Sequence, residues 1–191
     1  MTPDSVLALF RQRGALLEGH FVLSSGLHST GYLQCALILQ HPADAEALGR
    51  ALAAKVKAAG HKVDVVLSPA MGGLIIGHEV GRGLGVRAIF AERVDGTLTL
   101  RRGFTLAPGQ RVVVVEDVVT TGGSTRETID VARAAGAEVV AAASIIDRSG
   151  GRQDIGVPFH ALVTLSLPTY QPDACPLCAA GSPVVKPGSR T

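Results

Sequence analysis

Val112, Val113, Val114 and Val115 form an unbroken β-branched run. Such a run, with no polar alternation, marks a strand buried on both faces, as in the centre of a parallel sheet. Directly after it come Glu116 and Asp117, then Val118, Val119, Thr120, Thr121, Gly122, Gly123 and Ser124. The strand is expected to end at the two acids, and in open α/β sheets ligands bind at the carboxyl ends of strands. The hydroxyl- and glycine-rich turn can aim successive backbone N–H groups at one anion. A helix is expected from about 124, capped by Ser124 or Thr125 with Glu127 in its first turn, so the positive end of a helix dipole would face the same anion.

The order of these parts excludes two common nucleotide sites. The turn has no Lys after its glycines, as a P-loop requires, and the acids precede the turn instead of following it by about twenty residues, as in a dinucleotide fold. Two carboxylates beside a phosphate cradle suit a ribose whose hydroxyls face the acids and whose phosphate lies in the turn. They also attract Mg2+, and negative charge beside a sugar favours the cationic state formed when a glycosidic bond breaks. The plain alternative is a capped βα turn with two exposed acids.

Residues 112–125 resemble the phosphoribosyl diphosphate signature of the type I phosphoribosyltransferases. The resemblance implies an α/β fold with a mostly parallel central sheet, helices on both faces and a small hood, and the joining of a nitrogen base to ribose 5-phosphate with loss of diphosphate, assisted by Mg2+ bound mainly through substrate. Residues 21–32, which include Ser24, Ser25, Gly26, Ser29 and Tyr32, are similar to the amino-terminal segment of orotate phosphoribosyltransferases. Orotate is flat and anionic, so its pocket needs an apolar or aromatic surface and a fixed cation, for which Arg offers a bidentate fork. Tyr32 and Arg148 are the candidates, with Ser25, Gly26 and Thr120 beside them. Arg148 follows the apolar segment 141–147 and would emerge at the same sheet edge as Asp117. The alternatives are a local Arg148–Asp147 pair and ordinary packing of Tyr32.

Residues 63–73 read as another strand ending in a small-residue turn, and Ala70, Met71, Gly72 and Gly73 resemble the family's diphosphate-binding loop, with a helix resuming from about Leu74. Many orotate enzymes carry Lys in this turn and another in the amino-terminal segment; here Met71, Gly72 and Ser24 stand in their places. Residues 92–103 correspond to the family's mobile catalytic loop, often shared with a neighbouring subunit. Arg93, Arg101 and Arg102 would cover the departing diphosphate, excluding water and neutralising charge. Otherwise they form a solvated basic hairpin turning at Asp95 and Gly96. This loop lacks the Lys and His usual elsewhere, which gives no support to a side-chain general acid.

The tail, Cys175-Pro176-Leu177-Cys178 followed by Lys186-Pro187-Gly188-Ser189-Arg190, resembles the branch of orotate phosphoribosyltransferases known from Thermus-like bacteria. One Cys-x-x-Cys knuckle supplies two of the four ligands of a structural zinc. Cys35 would make a third if the fold brought it near, and two knuckles meeting across a dimer axis would complete four. The other reading is a local turn with reduced or occasionally disulfide-bonded thiols.

A chain of 191 residues with 47% hydrophobic content can bury a proper core. One catalytic domain over 1–191 is expected, with helix and hood in 1–40, the core in 41–167 and an irregular tail in 168–191, in which Val184 and Val185 suggest docking. Helices are expected near 3–13, 42–59, 74–83 and 124–135, and strands near 63–67, 86–91, 111–116 and 138–146. The amino terminus reads as an amphipathic helix, not a secretory signal, and no apolar run approaches the roughly 18–20 residues that span a bilayer, which points to the cytoplasm. The net charge of +2 gives no argument for nucleic acid. Asn is absent and Arg exceeds Lys, as in a heat-adapted or GC-rich source. The resemblance further implies orotate and phosphoribosyl diphosphate as substrates and a homodimer. A purine phosphoribosyltransferase, or a non-catalytic sensor of phosphoribosyl diphosphate, would carry the same sugar site.

Overall fold

The computed structural model describes residues 1–23 and 25–187. Ser24, and the Gly188, Ser189 and Arg190 of the tail motif, lie outside the described residues. In chain order the elements are α1 (Pro3–Gln12), β1 (Leu16–Val22), β2 (His28–Leu33), α2 (Ala36–Leu39), α3 (Pro42–Ala58), β3 (Val65–Pro69), α4 (Gly73–Leu84), β4 (Arg87–Val94) and β5 (Thr97–Leu100). They continue with β6 (Arg111–Val119), α5 (Gly123–Ala134), β7 (Glu138–Asp147), β8 (Phe159–Thr164), β9 (Thr169–Tyr170) and α6 (Pro176–Ala179).

Six strands form the main sheet in the order β5-β4-β3-β6-β7-β8. All neighbours pair in parallel except β5, which folds back on β4. The valine run of β6 sits at the centre and sends its side chains alternately to two cores. Val113 and Val115 pack with Phe10, Leu48, Leu52 and Ile76 from α1, α3 and α4, whereas Val112 and Val114 pack with Leu67, Ile89 and Ile129, the last from α5. All four valines have no exposed surface, and full burial of each contributes about 1.5–3 kcal/mol. α3 supplies its stripe from Ala45, Leu48, Leu52 and Val56, spaced three or four apart.

Two sequence expectations change, and one of the two readings of 92–103 is the one observed. The strand after Val115 does not stop at the acids, because pairing to β7 continues through Val118 with Ile146 and Val119 with Asp147. The basic segment 92–103 is a hairpin whose return strand is β5, and it turns at Asp95 and Gly96, both at positive φ. β8 adds an edge strand that the sequence reading did not anticipate. A separate three-stranded sheet, β1-β2-β9, forms the hood. The tail docks on it through backbone, not through apolar burial. Val22 N–H donates to Val185 O at 2.9 Å and Val185 N–H to His20 O at 2.8 Å, while Val184 and Val185 stay 48% and 53% exposed. Among the described residues no helix is long and apolar enough to cross a membrane.

Candidate active site at the carboxyl edge of the parallel sheet

The turn after β6 is shaped by Gly122, which has φ +75° and is the N-cap of α5. A β-carbon there would also lie 2.6 Å from Ile155 Cγ2, so the position requires glycine on two counts. Neither Ser124 nor Thr125 caps the helix: no side-chain bond closes its N-terminus, Ser124 O accepts from Thr128 Oγ at 2.7 Å, and Thr125 is buried. The left-handed glycine turns the chain directly into the helix, and the first-turn N–H groups are left for another acceptor. Arg126 holds the turn in place by donating to Thr121 O at 3.0 Å and Asp154 O at 2.7 Å.

Beneath this turn lie the acids. Glu116 is 8% exposed; burial, then the adjacent Asp117, pushes its carboxyl up to about 9. Burial also raises Asp117, against an opposing bond from Val118 N–H to Asp117 Oδ1 at 2.8 Å. The thiol of Cys35 abuts Asp117 and is held well up by burial and by both acids. The small-residue loop reaches the same place: a β-carbon on Gly72 would sit 2.8 Å from Asp117 Oδ1. Gly72 thus passes directly over the Asp117 carboxylate and Gly73 lies against Val115 O, with Met71 80% exposed. Two adjacent acids whose ionisation burial disfavours, Glu116 most of all, form a donor set suited to sugar hydroxyls and to a divalent cation carried by phosphate, either of which would stabilise the ionised form.

On the other side of the turn a cleft of about 1040 Å³ collects Ser25, Tyr32, Thr120, Thr121, Arg148 and Lys186. Gly26, at φ +81°, makes the turn between Ser25 and Leu27, and both of those flanking residues line the cleft. Arg148 follows β7 directly, its N–H bonded to Val119 O at 2.8 Å. Its partial burial lowers its pKa, opposed by Tyr32, and no ion pair to it forms among the described residues. The local Arg148–Asp147 pair does not occur, because Asp147 is occupied by Ser149 N–H at 2.9 Å, Ser149 Oγ at 2.6 Å and Gly151 N–H at 3.1 Å. Lys186, Gln34 and Arg152 also line the cleft and were not singled out from sequence. Lys186 sits in a tail motif whose place in space no local pattern could give.

The three hairpin arginines lie outside this cleft. Arg93 bonds Gly96 O and Glu127 Oε2 of α5, the latter at 2.6 Å. Arg102 bonds Glu92 Oε2 at 3.0 Å, and Arg101 approaches Glu92 Oε1 at 3.9 Å. All are at least partly exposed, so these pairs hold the hairpin weakly. The cysteine knuckle faces His20 and His28 of the hood, and Cys35, lying against Asp117, is no third ligand.

Comparison with known proteins agrees with this geometry. The phosphoribosyl transferase domain family matches residues 36–160. The orotate phosphoribosyltransferase of Heliobacterium modesticaldum is 56% identical over 191 residues, covering 100% of both chains. That of Carboxydothermus hydrogenoformans is 57% identical over 182 residues, 95% of each. The crystal structure of orotate phosphoribosyltransferase from Aeropyrum pernix, 29% identical, superposes with a TM-score of 0.66 over 84% of this chain and 93% of that one. The domain match over residues 36–160, with identity above one half across nearly whole chains, places this protein in the orotate phosphoribosyltransferase family of phosphoribosyl transferase domains.

Proposed function

We propose that the protein transfers ribosyl 5-phosphate from phosphoribosyl diphosphate to orotate, giving orotidine monophosphate and diphosphate in pyrimidine synthesis. The observation that carries the choice of base is Arg148, a half-buried guanidinium without an ion-pair partner among the described residues, in one cleft with Tyr32 and Thr120. A planar carboxylate on a flat ring matches that fork and that aromatic surface.

The sugar lies between the cleft and the acids. Backbone N–H groups from Thr120 to Ser124 hold its 5-phosphate at the start of α5. Glu116 and Asp117 take the ribose hydroxyls, with Glu116 giving up its proton to solvent as it does so. When the bond from the anomeric carbon to diphosphate breaks and the bond to the orotate nitrogen forms, positive charge develops on the ribose ring, and two fixed carboxylates in a dry site favour that state. Diphosphate rests against Ala70, Met71, Gly72 and Gly73. Mg2+ carried in with the diphosphate would be held mainly by phosphate oxygens, with Glu116 and Asp117 near it, and would neutralise phosphate charge. Arg93, Arg101 and Arg102 exchange their local partners for diphosphate oxygens when the hairpin closes, and an exposed hairpin of this kind suits a site shared within a homodimer. Residues 1–191 act as one catalytic unit in the cytoplasm.

Replacing Arg148 by Ala tests the base assignment. Loss of a charge-assisted pair of about 1.5–3 kcal/mol raises the orotate KM roughly 10- to 100-fold, with the KM for phosphoribosyl diphosphate changed far less. An unchanged orotate KM would remove Arg148 from the base pocket.

A further inference from the structure

Away from the acids, the hood and the tail bring together His20 and His28 with Cys175 and Cys178, whose candidate ligand atoms all lie within 4.8 Å of one another. Three of these side chains are buried, Cys175 at 3%, His20 at 4% and His28 at 8% exposure. His20 Nε2 lies 3.5 Å from Cys175 Sγ, 3.7 Å from Cys178 Sγ and 2.8 Å from His28 Nδ1, and His28 Nδ1 lies 3.3 Å from Cys178 Sγ. A tetrahedral zinc with Zn–S near 2.3 Å and Zn–N near 2.0–2.1 Å sets its ligand atoms about 3.3–3.8 Å apart. The three nitrogen–sulfur separations fall in that range, and the His20 and His28 nitrogens, 2.8 Å apart, would separate by about half an ångström to admit the ion; the two imidazoles and two thiols form a Cys2His2 donor set.

The orientation of His20 adds an independent sign. Its Nδ1 lies 2.9 Å from Ser182 O, and since a carbonyl only accepts, Nδ1 carries the proton and Nε2 turns a lone pair into the cluster. A backbone carbonyl fixing the far nitrogen is the outer-shell arrangement of metal-bound histidine. The knuckle is itself a tight turn, with Ala179 N–H bonded to Cys175 O at 3.1 Å and Gly181 N–H to Cys178 O at 2.9 Å.

We propose that His20, His28, Cys175 and Cys178 of one chain bind one structural Zn2+, which fastens the C-terminal tail to the hood. Four protein ligands close the ion to substrate, so its role is to hold structure. The tail has little else to hold it: α6 is four residues long and Val184 and Val185 remain half exposed. Fixed at 175–178, the chain runs on to its two backbone bonds with β1 and delivers Lys186 to the rim of the cleft. The metal assignment stands whichever base the cleft takes; only the use of Lys186 rests on the proposed function.

The test is zinc content by elemental analysis of the full chain, purified without a histidine tag or chelator and dialysed against metal-free buffer. One zinc per chain is expected, falling to background in Cys178→Ser and in His28→Ala but retained in Cys35→Ser. Co2+ substituted for zinc should show thiolate-to-cobalt charge transfer and the visible bands of a tetrahedral site. In wild-type protein, chelation should raise amide hydrogen exchange in 20–28 and 175–187 while the six-stranded sheet keeps its protection, a readout that needs no variant to fold. Three results would overturn the proposal: zinc at background even after reconstitution, one zinc per two chains retained in His28→Ala, or exchange in the tail unaffected by chelation. Failure to turn over orotate would leave the zinc stoichiometry untouched, so the two readings fail separately.

Discussion

Gly72 passes so close to Asp117 that a β-carbon on it would lie 2.8 Å from the Oδ1 of that acid and 3.0 Å from its Cγ and Oδ2. The 70–73 loop and strand β6 therefore meet in direct contact, and any side chain at 72 must displace either the loop or the carboxylate. Gly72→Ala should cost about 1–3 kcal/mol as an overpacked contact. The KM for phosphoribosyl diphosphate should rise roughly tenfold with little change in that for orotate. Equal effects on both substrates would show that the loop does not serve the diphosphate.

Asp117→Asn keeps the shape of the side chain and removes its charge. Turnover should fall about 10²- to 10³-fold, the scale of losing one preorganised electrostatic contact to a transition state, while the melting temperature of the free protein is maintained or raised. Steady-state kinetics alongside thermal unfolding separates the two effects. Unchanged turnover would exclude Asp117 from the chemistry.

The acid pair also sets a pH dependence. Glu116 titrates near 9 in the folded protein against an ordinary value of 4.5, so between those limits the unfolded chain binds fewer protons than the folded one. Stability of the ligand-free protein should therefore fall as pH rises from about 5 to 9 through this group. Glu116→Gln should remove that slope and raise the melting temperature at pH 8, with a smaller gain at pH 5. Binding of phosphoribosyl diphosphate with Mg2+ should release protons, measurable as a dependence of binding enthalpy on buffer ionisation. Proton uptake would contradict the role given to the acids.

Arg93 is tied to Glu127 across an exposed gap of 2.6 Å. A pair of that kind contributes about 1 kcal/mol or less, so the hairpin can exchange it for diphosphate. Arg93→Ala should lower kcat about 10- to 100-fold, whereas Glu127→Ala should leave it within roughly threefold. Equal losses in both variants would make the ion pair itself, and not a diphosphate contact, the function of Arg93.

Much of this was legible in the sequence, for physical reasons. The valine run of β6 can satisfy its burial only at the centre of a sheet, and Pro42 and Gly60 bracket a helix by removing a donor and supplying positive φ. β8 was missed because Phe159, His160 and Ala161 carry no strand pattern, and it is paired on one side only, at the sheet edge. The end of β6 was misplaced because charge at Glu116 and Asp117 suggested solvent, whereas ladder pairing to β7 carries the strand on to Val119. Thr120 and Arg148 share a cleft, as their positions after strands implied, and Tyr32 of β2, named for its aromatic ring, joins them there. The histidines facing the cysteine knuckle were hidden because they belong to the opposite end of the chain, and no local spacing joins His20 to Cys175.

The most direct measurement is the loss of orotate absorbance when the purified protein is mixed with phosphoribosyl diphosphate and Mg2+, with adenine, hypoxanthine and uracil run in parallel. Orotate should be consumed, only in the presence of Mg2+, with the other bases untouched. Consumption of a purine or of uracil in place of orotate would contradict the base pocket built on Arg148, and no reaction with any base would contradict catalysis itself.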